Sequence, residues 1–100
     1  MPFEQYTPQR FDASSIQNYA PVASGVYGVS NSREWIYIGE TSNIQSALME
    51  HLRNTNTDLM RKQPTGFVFE VSNGSNRPAR HERLVLEYGP VLNRSVARPR

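Results

Sequence analysis

The stretch that decides the fold is SGVYGVS (residues 24–30), followed by EWIYIG (34–39) and ETSNIQSALMEHLR (40–53). The first two pieces are rich in β-branched and aromatic residues and are separated by the polar residues 30 to 34, which is the pattern of a β-hairpin. Folding back around Ser32 pairs Val29 with Trp35 and Tyr27 with Tyr37. Directly opposed residues share a face of the sheet, so this register sets the two phenols side by side, and a slip of one residue separates them. In the third piece, Ser42 followed three residues later by Gln45 reads as a capping box. Ile44, Ala47, Leu48, His51 and Leu52 then recur at helical spacing, which predicts an amphipathic helix.

Toward the N-terminus, residues 1–21 hold three prolines and aromatics without a period. They read as an extended arm anchored by Phe3, Tyr6 and Phe11, with a short helical turn at 12–18. Beyond the helix, a further short helix is expected after Thr57, and Pro64 to Gly66 resets the chain into the strand GFVFEVS, where Phe67, Phe69 and Val71 alternate with Val68 and Glu70. Pro78 suits a first helical turn, Gly89 a C-terminal cap and Pro90 a stop, so a helix is predicted over 78–88. Its inward stripe is His81, Leu84, Val85 and Tyr88. Glu82, on the edge of that stripe beside Val85 and Leu86, is expected to point into a crevice. The domain is therefore expected to span 22–93, with a basic C-terminal tail at 94–100. Its class is α+β: a small three-stranded antiparallel sheet covered by helices in the order β-β-α-β-α.

At 100 residues and 11.4 kDa there is room for one small domain with a thin core. The absence of cysteine excludes disulfide frameworks, cysteine-ligated zinc, iron–sulfur clusters and thiol nucleophiles together. No apolar run is long enough to cross a bilayer, and the first twenty residues lack the order of a signal peptide, so a cytoplasmic protein is expected. The net charge is only +2, but it is unevenly spread: residues 73–100 carry six arginines against Glu82 and Glu87. Arginine's planar fork suits phosphate, and Arg77, Arg80, Arg94 and Arg98 are candidate nucleic-acid contacts. With no aromatic after Tyr88, contacts from this end would be electrostatic and indifferent to sequence.

The pair GVY (25–27) and YIG (37–39), continued by ETSNIxxxLxxHL, then a strand, a helix carrying Glu82 and a closing Pro90-Val-Leu-Asn93, resembles the GIY-YIG nuclease domain over roughly residues 24–93. The resemblance implies metal-assisted phosphodiester hydrolysis. Tyr27 and Tyr37 would organise and deprotonate a water, and Glu82 would bind a divalent ion, Mg2+ or Mn2+, if the site is active; otherwise no cofactor is expected. A hard cation is satisfied by one carboxylate plus waters and phosphate oxygens. DNA is the expected nucleic-acid partner, with no membrane partner and with a homodimer or partner protein as a source of specificity.

Two positions depart from that family's pattern. Its helix arginine falls at Ala47, and the cation often found directly after YIG is replaced by Glu40. Losing a preorganised cation at the phosphate costs about 3 to 4 kcal/mol, or roughly 10²- to 10³-fold in rate. His51, one turn beyond Ala47 on the same face, is the nearest replacement, with Arg77 and Arg80 as alternatives. A one-residue shift in the helix alignment would put His81 in place of Glu82 as the metal ligand, and histidine suits Mg2+ poorly. Each residue also has a plain structural use. The tyrosines serve as cross-strand rings, His51 as a helix-end imidazole, Glu82 as an exposed ion-pairing group, Gly39 as a strand-end glycine and Asn93 as a loop support. Three functions follow from these readings. The first is a GIY-YIG-like domain with an impaired hydrolytic site that keeps nucleic-acid binding, its crevice lined by Tyr27, Tyr37, His51 and Glu82. The second is an active divalent-metal endonuclease with a substitute cation, and the third a protein-interaction module on the same scaffold.

Overall fold

Successive strand residues point to opposite faces, and here both faces of every long strand are apolar, so the sheet must be covered on both sides. A computed structural model describes Phe3 and residues 8–96, with side chains up to Asn93. The elements in chain order are β1 (Gln9–Arg10), α1 (Ala13–Tyr19), β2 (Gly25–Ser30), β3 (Trp35–Thr41), α2 (Ile44–Arg53), α3 (Asp58–Arg61), β4 (Gly66–Val71), α4 (Arg77–Tyr88) and α5 (Val91–Val96). The sheet is antiparallel, with strand order β1-β4-β2-β3. One face packs Tyr27, Val29, Ile36 and Phe67 against Phe11, Ile16, Ala20, Ile44, Leu48 and Leu59. The other packs Val26, Ile38 and Val68 against Leu84 and Phe3, with Trp35, Val85 and Tyr88 alongside.

The α+β class and the three long strands are as the sequence reads, and the structure adds to them. Residues 9–20 are integral to the domain: β1 extends the sheet along β4, and α1 buries Ile16 and leads into the buried Ala20. Asp12 caps α1 by accepting from the Ser15 N–H, which holds its carboxyl below the usual range. Phe3 is buried against Trp35 and Tyr88, its N–H donating to the Tyr88 hydroxyl. Tyr6 lies outside the described residues. At the other end, α5 carries helix three residues into the stretch expected to be tail.

The hairpin register differs from the one expected. The turn is closed between Asn31 and Glu34, and Ile36 is an extra residue bulged out of β3, so Val29 pairs with Tyr37 and Tyr27 with Gly39. Each change alone would carry Tyr37 to the opposite face. Together they move the register by two residues, which restores the face, and Tyr27 and Tyr37 remain neighbours with ring centroids 6.2 Å apart. The cap of α2 is Asn43, whose side chain accepts from the Ser46 N–H, not Ser42. Gln45, expected to complete a capping box, reaches instead to the Ala20 carbonyl and ties α2 to the end of α1. Gly89 adopts φ 57 and ends α4 with a left-handed cap.

Candidate functional site

Tyr27 is the centre of the crevice. β2 is an inner strand, so the phenol is buried, and its ring lies directly over Gly39 of the neighbouring strand: a Cβ at Gly39 would stand 2.5 Å from the Tyr27 Oη and 2.6 Å from Cζ. Glycine is required here by close approach of a ring, and its backbone dihedrals are ordinary. α2 crosses above and delivers His51, whose Nε2 lies 2.7 Å from the Tyr27 Oη. Tyr37, half-buried, closes a triangle with both rings at centroid distances of 6.2 and 5.6 Å.

Burial sets the charge of this cluster. It raises the Tyr27 phenol well above the ordinary range, with Tyr37 beside it adding to the effect. It raises Tyr37 as well, helped by the nearby Glu40 carboxylate, and it pulls the His51 imidazole below its usual value against the weaker influence of Glu50. Burial thus favours the neutral forms of both partners across the 2.7 Å contact between the Tyr27 Oη and the His51 Nε2. Ala47, one turn earlier on α2, packs its methyl against the core on the same side.

Glu82 does not join the rings. It is exposed, on the same side of α4 as Leu86 one turn later, which is 79% exposed. A helix advances about 100° per residue, and that step decides between neighbours: His81 is the residue turned toward the sheet. Its Nε2 lies 2.9 Å from the Ile38 carbonyl. A carbonyl only accepts, so Nε2 carries the proton and Nδ1 faces the Glu40 Oε2 at 4.0 Å. Asn93, 6% exposed, holds the same backbone, accepting from the Ile38 N–H at 2.6 Å and donating to the Ile38 carbonyl at 2.9 Å. The side chain thus does for the outer edge of β3 what a further strand would do.

Arg77 and Arg80, expected as phosphate contacts, are engaged within the protein. Arg77 pairs with Glu40 (Nε to Oε1 3.2 Å) and donates through Nη1 to the Ser24 hydroxyl and the Thr41 carbonyl. Arg80 grips Glu70 with two bonds of 2.6 and 2.7 Å, which hold its proton more firmly. The Arg94 side chain and Arg98 lie outside the described residues. The sequence missed the partnering of Arg77 and Arg80 because their acids lie on strands, 37 and 10 residues earlier.

The donor set does not fit a hard divalent cation. Glu82 is turned away, one oxygen of Glu40 is taken by Arg77, and the ring nitrogen of His81 nearest to it is a soft choice for Mg2+. Among the described residues no three His, Asp or Glu side chains gather as metal ligands.

No family model matches the chain, and no curated protein matches it by sequence. Among solved structures, the GIY-YIG N-terminal endonuclease domain of UvrC from Thermotoga maritima is similar. Its magnesium-bound form has a TM-score of 0.64 at 23% identity, covering 75% of this chain and 91% of that one. Two Tyr-to-Phe point mutants of the same domain, each bound to its catalytic divalent cation, give TM-scores of 0.63 and 0.64 at 22% identity over the same share of this chain. No helix among the described residues is long and apolar enough to cross a membrane. With a hairpin carrying GVY and YIG, the α2 helix laid over both tyrosines and an asparagine locking the outer strand, the chain is a GIY-YIG-like domain by its fold.

Proposed function

We propose that this domain binds nucleic acid and that its own crevice does not hydrolyse phosphodiesters. The observation that carries this reading is Ala47, whose methyl packs against the core where the resemblance calls for a charged clamp on the phosphate, one turn from the Tyr27–His51 contact at 2.7 Å. A hydrolytic centre needs positive charge preorganised where the pentavalent phosphate develops negative charge. Here Arg77, an alternative source of the cation, is paired with Glu40, and Glu40 itself would repel phosphate oxygens. The Thermotoga domain binds magnesium; in this chain the residues that would hold such an ion are turned away or already paired. What remains is a scaffold with exposed arginines, among them Arg33, Arg53 and Arg83, suited to backbone phosphates.

The test is restoration. Ala47→Arg combined with Glu40→Lys and His81→Glu supplies the clamp and a carboxylate, and should raise nicking of supercoiled plasmid in Mg2+ or Mn2+ above the wild-type background. Both proteins should bind a labelled duplex with affinity that falls steeply with salt. A folded triple variant no more active than wild type counts against the lost clamp as the cause, and salt-insensitive or absent binding by wild type removes the nucleic-acid role.

A further inference from the structure

With Arg77 and Arg80 engaged by Glu40 and Glu70, cations elsewhere must meet a phosphate. The β2–β3 turn and the α3–β4 connection lie side by side at the hairpin tip and enclose a polar hollow of about 320 Å³ lined by Asn31, Ser32, Arg33, Lys62, Gln63 and Thr65. Two cations stand on its two walls. Lys62 meets Glu34 only loosely, at 3.8 Å, and the Arg33 guanidinium has no ion-pair partner among the described residues. The walls are held fixed. The Asn31 side chain donates to the Lys62 carbonyl at 2.8 Å and accepts from the Arg33 and Glu34 N–H groups, while the Thr65 N–H donates to the Ser30 carbonyl. Gln63 is the only non-glycine residue with positive φ among the described residues, at 57°, an arrangement that costs free energy and persists where the surroundings impose it.

The lining is rich in donors and holds no carboxylate: a guanidinium, an ammonium, two carboxamides and two hydroxyls. Such a set selects an oxyanion over a cation or an apolar ligand. Another basic hollow, lined by Asn76, Ala79, Arg80 and Arg83, is formed by one helix surface and has one of its two cations already bound to Glu70. Ser30, which precedes Asn31 of the lining, is three residues from Tyr27 along β2, about 10 Å at strand rise. That is about three base-pair steps along a duplex axis at ~3.4 Å each.

We propose that Arg33 and Lys62 form a phosphate-binding site at the hairpin tip, and that it takes a backbone phosphate of the nucleic acid lying across the domain. The proposal rests on the nucleic-acid reading above, and its test separates the two. The affinity of the full chain for a labelled duplex is measured against salt. Arg33→Ala with Lys62→Ala should weaken binding about tenfold and reduce the slope of log K against log salt by about two. Arg10→Ala with Arg83→Ala, equal in charge change, should leave the slope nearly unchanged. In parallel, inorganic pyrophosphate is titrated into the isotope-labelled protein, and the amides of Ser32, Gln63 and Thr65 should shift in wild type but not in the Arg33/Lys62 double variant. Duplex binding with an unaltered slope in that variant, and no pyrophosphate shift, overturns the tip site and leaves nucleic-acid binding standing. A pyrophosphate shift without duplex binding supports the site as a phosphate binder and overturns its nucleic-acid ligand. Equal losses in both double variants, without a localised shift, overturn the tip site in favour of diffuse charge.

Discussion

At the residue scale the crevice is governed by contact and burial. Gly39→Ala forces the Tyr27 ring off its position and with it the His51 bond, since both the strand and the ring are held by core packing. The expected loss is about 1 to 3 kcal/mol, read from the urea midpoint; an unchanged midpoint would mean that the ring moves freely. His51 makes the domain sensitive to acid. Its pKa is lowered in the folded state, so below about pH 6.5 the unfolded chain takes up more protons than the folded one. The stability that a neutral His51 supports is complete above that pH and is lost as pH falls toward the lowered folded value. His51→Gln should flatten the urea midpoint across this window, and parallel declines of variant and wild type would assign the effect to other groups.

At the element scale the outer edge of β3 depends on one side chain. Asn93→Ala leaves the buried Ile38 N–H without its partner and should cost about 2 to 3 kcal/mol in denaturant unfolding, with hydrogen exchange at Ile38 accelerated most. The hairpin and the two amphipathic helices α2 and α4 were legible because periodicity and the glycine positions report them directly. The bulge at Ile36 was not, because nothing in an apolar run marks which residue is extra; the phenols stayed together only because two one-residue changes cancelled in parity. Ser42 and Asn43 are both capping residues, and the choice fell to Asn43 because the Ile44 N–H is already bound by the Ala23 carbonyl. On α4 the spacing placed His81 on the inward stripe, where the structure has it, but a residue at the stripe edge differs from its neighbour by one step of rotation, which spacing alone does not resolve, and Glu82 turns to solvent. Ala47 in place of the helix arginine could be read from the sequence; the neutrality of His51 and the pairing of Arg77 needed the tertiary contacts.

For the whole molecule, residues 9–20 are part of the core although their aromatics follow no period, because β1 and α1 are held by β4 and α2 and not by their own pattern. Removing residues 1–20 strips Phe3, Phe11, Ile16 and Ala20 from both faces of the sheet. At about 1.5 to 3 kcal/mol for each large side chain this rivals the stability of a small domain. The truncated chain should lose cooperative unfolding by calorimetry, whereas a dispensable arm would leave the transition intact. The same integration sets the electrostatics: burial in the core favours the neutral forms of Tyr27 and His51. The direct measurement is incubation of the purified wild-type chain with supercoiled plasmid in Mg2+ and in Mn2+. The account predicts that the plasmid stays supercoiled, while metal-dependent nicking that Tyr37→Phe abolishes would contradict it.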